Sequence, residues 1–151
     1  MIDPYVFRPM AYGLLMWGVA VYAFRRGDRE EIVAAVAIMI ASYLSALLRS
    51  SDHPYQHFEV GMAMTDLGLF VVLQTMALRS AKFWPIWLAA IQGVTLLGHF
   101  SPLMPGMMPA MARNAVALWA WPQWLILWFG IDRSRRGRGD RAYPKGAGIN
   151  A

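Results

Sequence analysis

Apolar residues fall in five long blocks along the chain, and the charged residues collect between them. The blocks run over Tyr5–Phe24, Ile32–Leu48, Val60–Leu78, Phe83–Phe100 and Ala115–Ile131. None shows the period-two alternation of a half-buried strand, and each is longer than a buried strand needs to be. Alanine, leucine and methionine are common in them, and these residues lose little on entering a helix. A helix needs roughly 20 mostly apolar residues to cross a bilayer, with a usual range of about 17–25. Every block meets that length. The pattern predicts an all-α integral membrane protein with five transmembrane helices. The connections between the blocks are short, which makes sequential helices antiparallel neighbours in an up-and-down bundle.

Charge then orients the bundle. With five crossings, the first loop, the third loop and the C-terminal segment share a side. They hold Arg25, Arg26, Arg29, Arg79, Lys82, Arg133, Arg135, Arg136, Arg138, Arg141 and Lys145. The opposite side holds Arg8, Arg49 and Arg113. Cytoplasmic loops carry the excess of Lys and Arg, so the N-terminus is expected outside and the C-terminus inside. Arg25 and Arg26 follow the first apolar block directly, whereas a cleaved signal peptide is basic before it. Val21-Tyr22-Ala23 is therefore read as part of a span and not as a cleavage site.

Composition agrees with lipid as the solvent. The apolar fraction is 58% without glycine, against about 45–50% with glycine in soluble domains. A fold this small could not bury the excess. The basic residues after Ile131 read as a topology anchor, with no nucleic-acid partner expected. Residues 1–131 form the expected bundle, and 132–151 a basic, disordered cytoplasmic tail. The absence of cysteine removes disulfides, thiolate metal sites, iron–sulfur clusters and cysteine nucleophiles.

Small residues at four-residue spacing, Ala37, Ala41 and Ser45 in the second block and Ala89 and Gly93 in the fourth, mark close helix approach. Pro85 falls in a first helical turn, where proline is tolerated, and Pro122 inside the fifth block. Trp84 and Trp87 fit an interfacial aromatic belt. Trp121, Trp124 and Trp128 share a face, either as a packing or lipid-facing stripe or as a flat wall for a quinone, a pigment or a partner helix.

Ionisable groups within a membrane are costly, so each asks for a reason. Asp66 lies about 9 Å into the third block at 1.5 Å per residue. Arg49, at the end of the second block on the same side, is the expected ion-pair partner. Gln92, Thr95 and His99 share a face of the fourth block, as Ser42, Ser45 and Arg49 do of the second. Arg49, Glu59, Asp66, Gln92 and His99 thus form a candidate polar cluster toward the outside. Its bland role is hydrogen-bonded glue that fixes helix register. Its sharper role is a binding site.

A metal site is the first sharper chemistry. His53, His57 and His99 lie on the outer side with Met104, Met107, Met108 and Met111 in the following loop. Imidazoles and thioethers together suit copper. Methionine is equally an apolar filler, and an interfacial loop explains the run without metal. Haem would need histidines within the bundle, and only His99 lies on a span. No cofactor is required by the sequence. An enzyme would use Asp66 or His99 as acid or base, but no phosphate loop or nucleophile motif accompanies them.

The leading expectation is a structural or accessory membrane subunit, self-associated or within a larger complex. A small transporter or metal-handling protein is the alternative, and a membrane-embedded enzyme the third. In style across its spans, and not by any motif, the chain resembles small multi-pass proteins of Gram-negative bacteria. That resemblance implies a cytoplasmic (inner) membrane and assigns no functional residue.

Overall fold

Each apolar block folds as a helix in the computed structural model, which describes residues 4–48, 60–100 and 109–142, with side chains over 10–48, 60–100 and 120–137. The helices are α1 (Pro4–Arg26), α2 (Arg29–Leu48), α3 (Val60–Arg79), α4 (Trp84–Gly98) and α5 (Pro109–Ala142). No strand occurs among the described residues. Two of the helices, α2 and α3, are long and apolar enough to cross a membrane, and α4 is apolar but shorter.

The helices close a ring: α1 packs on α2, α2 on α3, α3 on α4, α4 on α5, and α5 returns to α1. A contact between α2 and α5 crosses the middle. Side-chain pairs show the antiparallel order. Tyr12, in the first half of α1, bonds Ser42, near the end of α2. Ser80, just after α3, bonds Glu30 at the start of α2. Asp66, early in α3, meets His99 at the end of α4.

The core is built from one face of each helix. On α1 this face is Met16, Val19, Ala20 and Ala23, at i, i+3, i+4 and i+7. On α2 it is Ala34, Ala35, Ile38 and Ala41, so the expected small-residue contact at Ala41 is buried, while Ala37 is only partly so. Gly93 lets α4 approach Phe70 of α3, since a Cβ there would stand 3.2 Å from the ring. Gly27 makes the α1–α2 turn, and a Cβ at that position would lie 2.6 Å from the carbonyl oxygen of Ala23.

Three features depart from expectation. The basic segment from Asp132 does not begin as a disordered tail; α5 continues through it to Ala142. Arginine is a good helix former, and Asp132 and Arg136 pair one turn apart at 2.8 Å, so an established helix propagates past the apolar block. The same helix starts earlier than Ala115, at Pro109. Trp84 is not a belt residue. It is buried against Gly130 of α5, while Trp87 is about half exposed.

The Trp84–Gly130 contact admits a direct test. A Cβ on Gly130 would lie 2.6 Å from Cγ of the indole. Gly130→Ala should therefore lower stability by about 1–3 kcal/mol through overpacking. Thermal unfolding in mild detergent measures it. Recovery on adding Trp84→Leu would assign the loss to this contact, and an unchanged Tm in the single variant would refute the tight fit.

Candidate functional site

Two polar clusters lie inside the helical ring, one toward each end. The first gathers residues from α3, α4 and α5. Asp66 stands about 9 Å into α3 at 1.5 Å per residue, with 14% of its side chain exposed. Gln92 of α4 donates from Nε2 to the Asp66 carboxylate at 3.0 Å and to the Asp66 carbonyl at 3.2 Å. His99, capping the end of α4, places Nε2 against the other carboxylate oxygen at 2.5 Å. Gln123 of α5 donates to Oε1 of Gln92. The result is a continuous chain from Gln123 through Gln92 and Asp66 to His99.

Local helix geometry explains the alignment. Gln92, Thr95 and His99 occur at i, i+3 and i+7 and therefore share a face. All three are buried. Thr95 is placed with the others but takes no part in the chain, because its hydroxyl donates to the Ile91 carbonyl. A carboxylate within an apolar bundle is tolerated only when hydrogen-bonded or paired. Asp66 has a partner for each oxygen.

Asp66, Gln92 and His99 are thus brought together. Arg49, Glu59, His53, His57, Met104, Met107 and Met108 lie outside the described residues, and so does the side chain of Met111. The expected Arg49–Asp66 pair falls with them. Among the described residues, no group of three or more His, Cys, Asp or Glu side chains could hold a metal ion. Nε2 of His99 already faces Asp66, so a copper or haem iron bound through that atom would displace the carboxylate contact. Gln123 was not anticipated, although an amide inside the Trp-rich apolar block is the kind of costly residue that signals a partner.

Ser42 belongs to a separate bond chain. The Trp124 indole donates to the Tyr12 hydroxyl at 3.1 Å, which in turn meets Ser42 at 3.1 Å. The tryptophan stripe of α5 accordingly divides. Trp124 is fully buried, Trp121 packs edge-on to Tyr12, and Trp128 is half exposed. These residues do not form one flat aromatic wall.

The second cluster joins the α1–α2 turn, the α3–α4 turn and α5. Glu31 has no exposed surface. Its Oε2 accepts the Asp28 backbone N–H at 2.6 Å, and its Oε1 accepts from Lys82 Nζ and from the Ser134 hydroxyl, both at 2.8 Å. Lys82 also donates to Asp28 at 2.9 Å and lies 3.6 Å from Glu30. Burial alone would lower the Lys82 pKa, but hydrogen bonds to Glu31 and Asp28 and their negative charges outweigh it, so the value is raised. The sequence held half of the signal: Asp28-Arg29-Glu30-Glu31 has the spacing of a capping box, with Glu31 reaching back to the N–H of Asp28, the residue just before its helix. Nothing local announces that Lys82 and Ser134 arrive there.

Comparison with family models, curated proteins and solved structures yields no match to this chain.

Proposed function

We propose that the chain is a five-span protein of a bacterial cytoplasmic membrane, N-terminus outside and C-terminus inside, acting as a structural or accessory subunit. It would do so as a homo-oligomer or within a larger membrane complex. The observation that carries the membrane reading is the inverted placement of apolar and polar side chains. Met10, Leu14, Trp17, Val21 and Phe24 form one outward stripe on α1, and Val60, Met64, Leu67 and Val71 another on α3. Leu14 is 75% exposed and Leu78 is 78% exposed. Glu31, Gln92, His99 and Gln123 are meanwhile buried. Soluble monomers rarely expose contiguous apolar patches above a few hundred Å². Lipid tails accept such a surface.

Helices α2 and α3 pass the length and composition test for a span. The stretches Pro9–Phe24 in α1 and Asn114–Ile131 in α5 contain no charged residue, which extends the reading to them. The orientation rests on the basic residues at the end that carries Lys82 and the α5 extension.

The accessory role is supported by the closure of the polar chain. Gln92 spends both ends of its amide, and Asp66 both carboxylate oxygens, on protein partners. That is how glue between helices behaves. The contact of Asp66 with His99 favours a second reading, a small transporter or metal-handling protein in which this carboxylate–imidazole pair exchanges a proton or meets an ion.

Alkaline carbonate extraction should leave the protein in the membrane pellet. C-terminal fusion to a cytoplasm-only reporter should be active and fusion to a periplasm-only reporter inactive. The reverse pair of outcomes would overturn the orientation. Purification in mild detergent should bring down a partner subunit or a homo-oligomer. Stoichiometric copper or zinc on a monomer would transfer the assignment to the second reading.

A further inference from the structure

Charges at the end of the bundle that carries Lys82 are unequally matched. The described carboxylates there are Asp28, Glu30, Glu31 and Asp132, and each is answered from within the chain. Lys82 holds Asp28 and Glu31 and lies 3.6 Å from Glu30, which also accepts from Ser80. Arg136 holds Asp132 at 2.8 Å. With the acids taken, Arg25, Arg29, Arg79, Arg133 and Arg135 have no ion-pair partner among the described residues, and all of them are exposed.

These arginines lie at one depth. Arg25 directly follows Phe24, and Arg79 directly follows Leu78. Arg29 comes shortly before Ile32, and Arg133 and Arg135 shortly after Ile131. At 1.5 Å per residue, none stands more than about 6 Å from the end of an apolar block. The polar layer on each side of a bilayer is about 5–7 Å thick. The arginines come from α1, α2, α3 and α5, helices that close the ring, so they surround the end of the bundle and do not converge on one pocket. The helical course of α5 matters here. Its extension past Ile131, with the Ser134 hydroxyl held by Glu31 at 2.8 Å, keeps Arg133 and Arg135 at this level where a loose tail would let them wander. A guanidinium is a planar fork that matches two oxygens of a phosphate.

We propose that this arginine rim binds anionic phospholipids of the cytoplasmic leaflet, several at once, each phosphate meeting one guanidinium. A zwitterionic lipid offers the same phosphate but carries a cation beside it, so the rim selects for net negative charge. An orientation signal fixes which way the chain faces; the rim goes further and keeps a lasting shell of chosen lipid around the inner end. This assignment rests on the membrane reading above.

Full-length protein reconstituted in phosphatidylcholine bilayers, with spin-labelled phosphatidylglycerol or phosphatidylcholine as the probe, tests it. One basic residue at the surface gives roughly a fivefold preference for an anionic lipid. Averaged over a lipid shell that the rim only partly fills, phosphatidylglycerol should associate about twofold more strongly than phosphatidylcholine. The preference should vanish in about 1 M salt, where charges are screened within about 3 Å. The pairs Arg25→Gln with Arg79→Gln and Arg133→Gln with Arg135→Gln should each remove a comparable part of it. Asp132→Asn with Arg136→Gln, which leaves the net charge unchanged at the same level of α5, should keep it. All the replaced arginines are exposed, so the fold should be kept, and a matching Tm verifies this. Equal association of the two lipids would overturn the rim, and so would loss confined to one pair of variants. At matched ionic strength, removal of the preference by inorganic phosphate would make the rim a site for free anions. Removal by polyglutamate would make it a docking face for an acidic protein; either result overturns the lipid assignment. Release of the protein by carbonate extraction would sink the membrane reading itself, whereas a membrane-retained protein without lipid preference would sink only the rim.

Discussion

Lys82→Met should destabilise the protein by about 3 kcal/mol, one of the two largest single-site effects expected. Removing one partner of a buried pair typically costs about 3–5 kcal/mol, because the remaining charge is left without compensation. Here the stranded charge is Glu31, which has no exposed surface, while the lysine itself is 28% exposed. The partial exposure of the lysine places the effect at the lower end of that range. The double variant Lys82→Met with Glu31→Gln should be more stable than the sum of the single effects allows, because the neutral amide removes the stranded charge. Simple additivity would show that the two side chains are not coupled. The pH dependence has a definite sign. The Lys82 pKa is raised above its ordinary value of 10.5. Its contribution is therefore fully present below that ordinary value and is lost as pH rises through the folded-state value above it. The stability difference between the native protein and Lys82→Met should stay constant through neutral pH and shrink on the alkaline side. A difference that shrinks on acidification alone, with an unchanged alkaline limb, would contradict this account of the lysine.

Gln92→Leu should cost about 2–4 kcal/mol, since it strands a carboxylate oxygen of Asp66 and the amide of Gln123 at once, and each unsatisfied buried group costs about 1–3 kcal/mol. Adding Gln123→Leu should recover part of the loss by removing one of the stranded groups. Equal stability of Gln92→Leu and the native protein in detergent would mean that water reaches both groups and that the chain is not a dry connection. The variants also separate the two functional readings. With an accessory role, cellular function should follow the measured stability of the series. With an ion or proton role, His99→Gln should abolish function while leaving Tm within a few degrees.

The helices were legible because each depends on a local property, the length of a mostly apolar block. Val60–Leu78 in the sequence became Val60–Arg79 in the structure. The Asp66, Gln92 and His99 grouping was legible for a similar reason: helical spacing aligns the last two, and the cost of burying the first demands a partner. What remained hidden is tertiary. Glu31 and Lys82 look like ordinary loop charges, and counting basic residues for orientation ignores the acids that neutralise them. Trp84 looks like a membrane-interface residue until Gly130, distant in sequence, opens a slot for its ring. The extension of α5 to Ala142 is not legible from composition, because a polar, basic segment reads as disordered although its arginines are good helix formers.

The brevity of α4 has a consequence for the membrane as an elastic sheet. Its 15 residues span about 22 Å at 1.5 Å per residue, roughly 8 Å less than a typical hydrocarbon core. In the five-span arrangement proposed above, the bilayer beside α4 would dimple inward to avoid exposing lipid tails, at a cost of fractions of a kcal/mol for each ångström. Two copies that share one dimple deform less lipid than two apart. In that proposed arrangement the short helix would draw copies together along the α4 side and would bias the protein toward thinner membranes, before any specific protein contact forms.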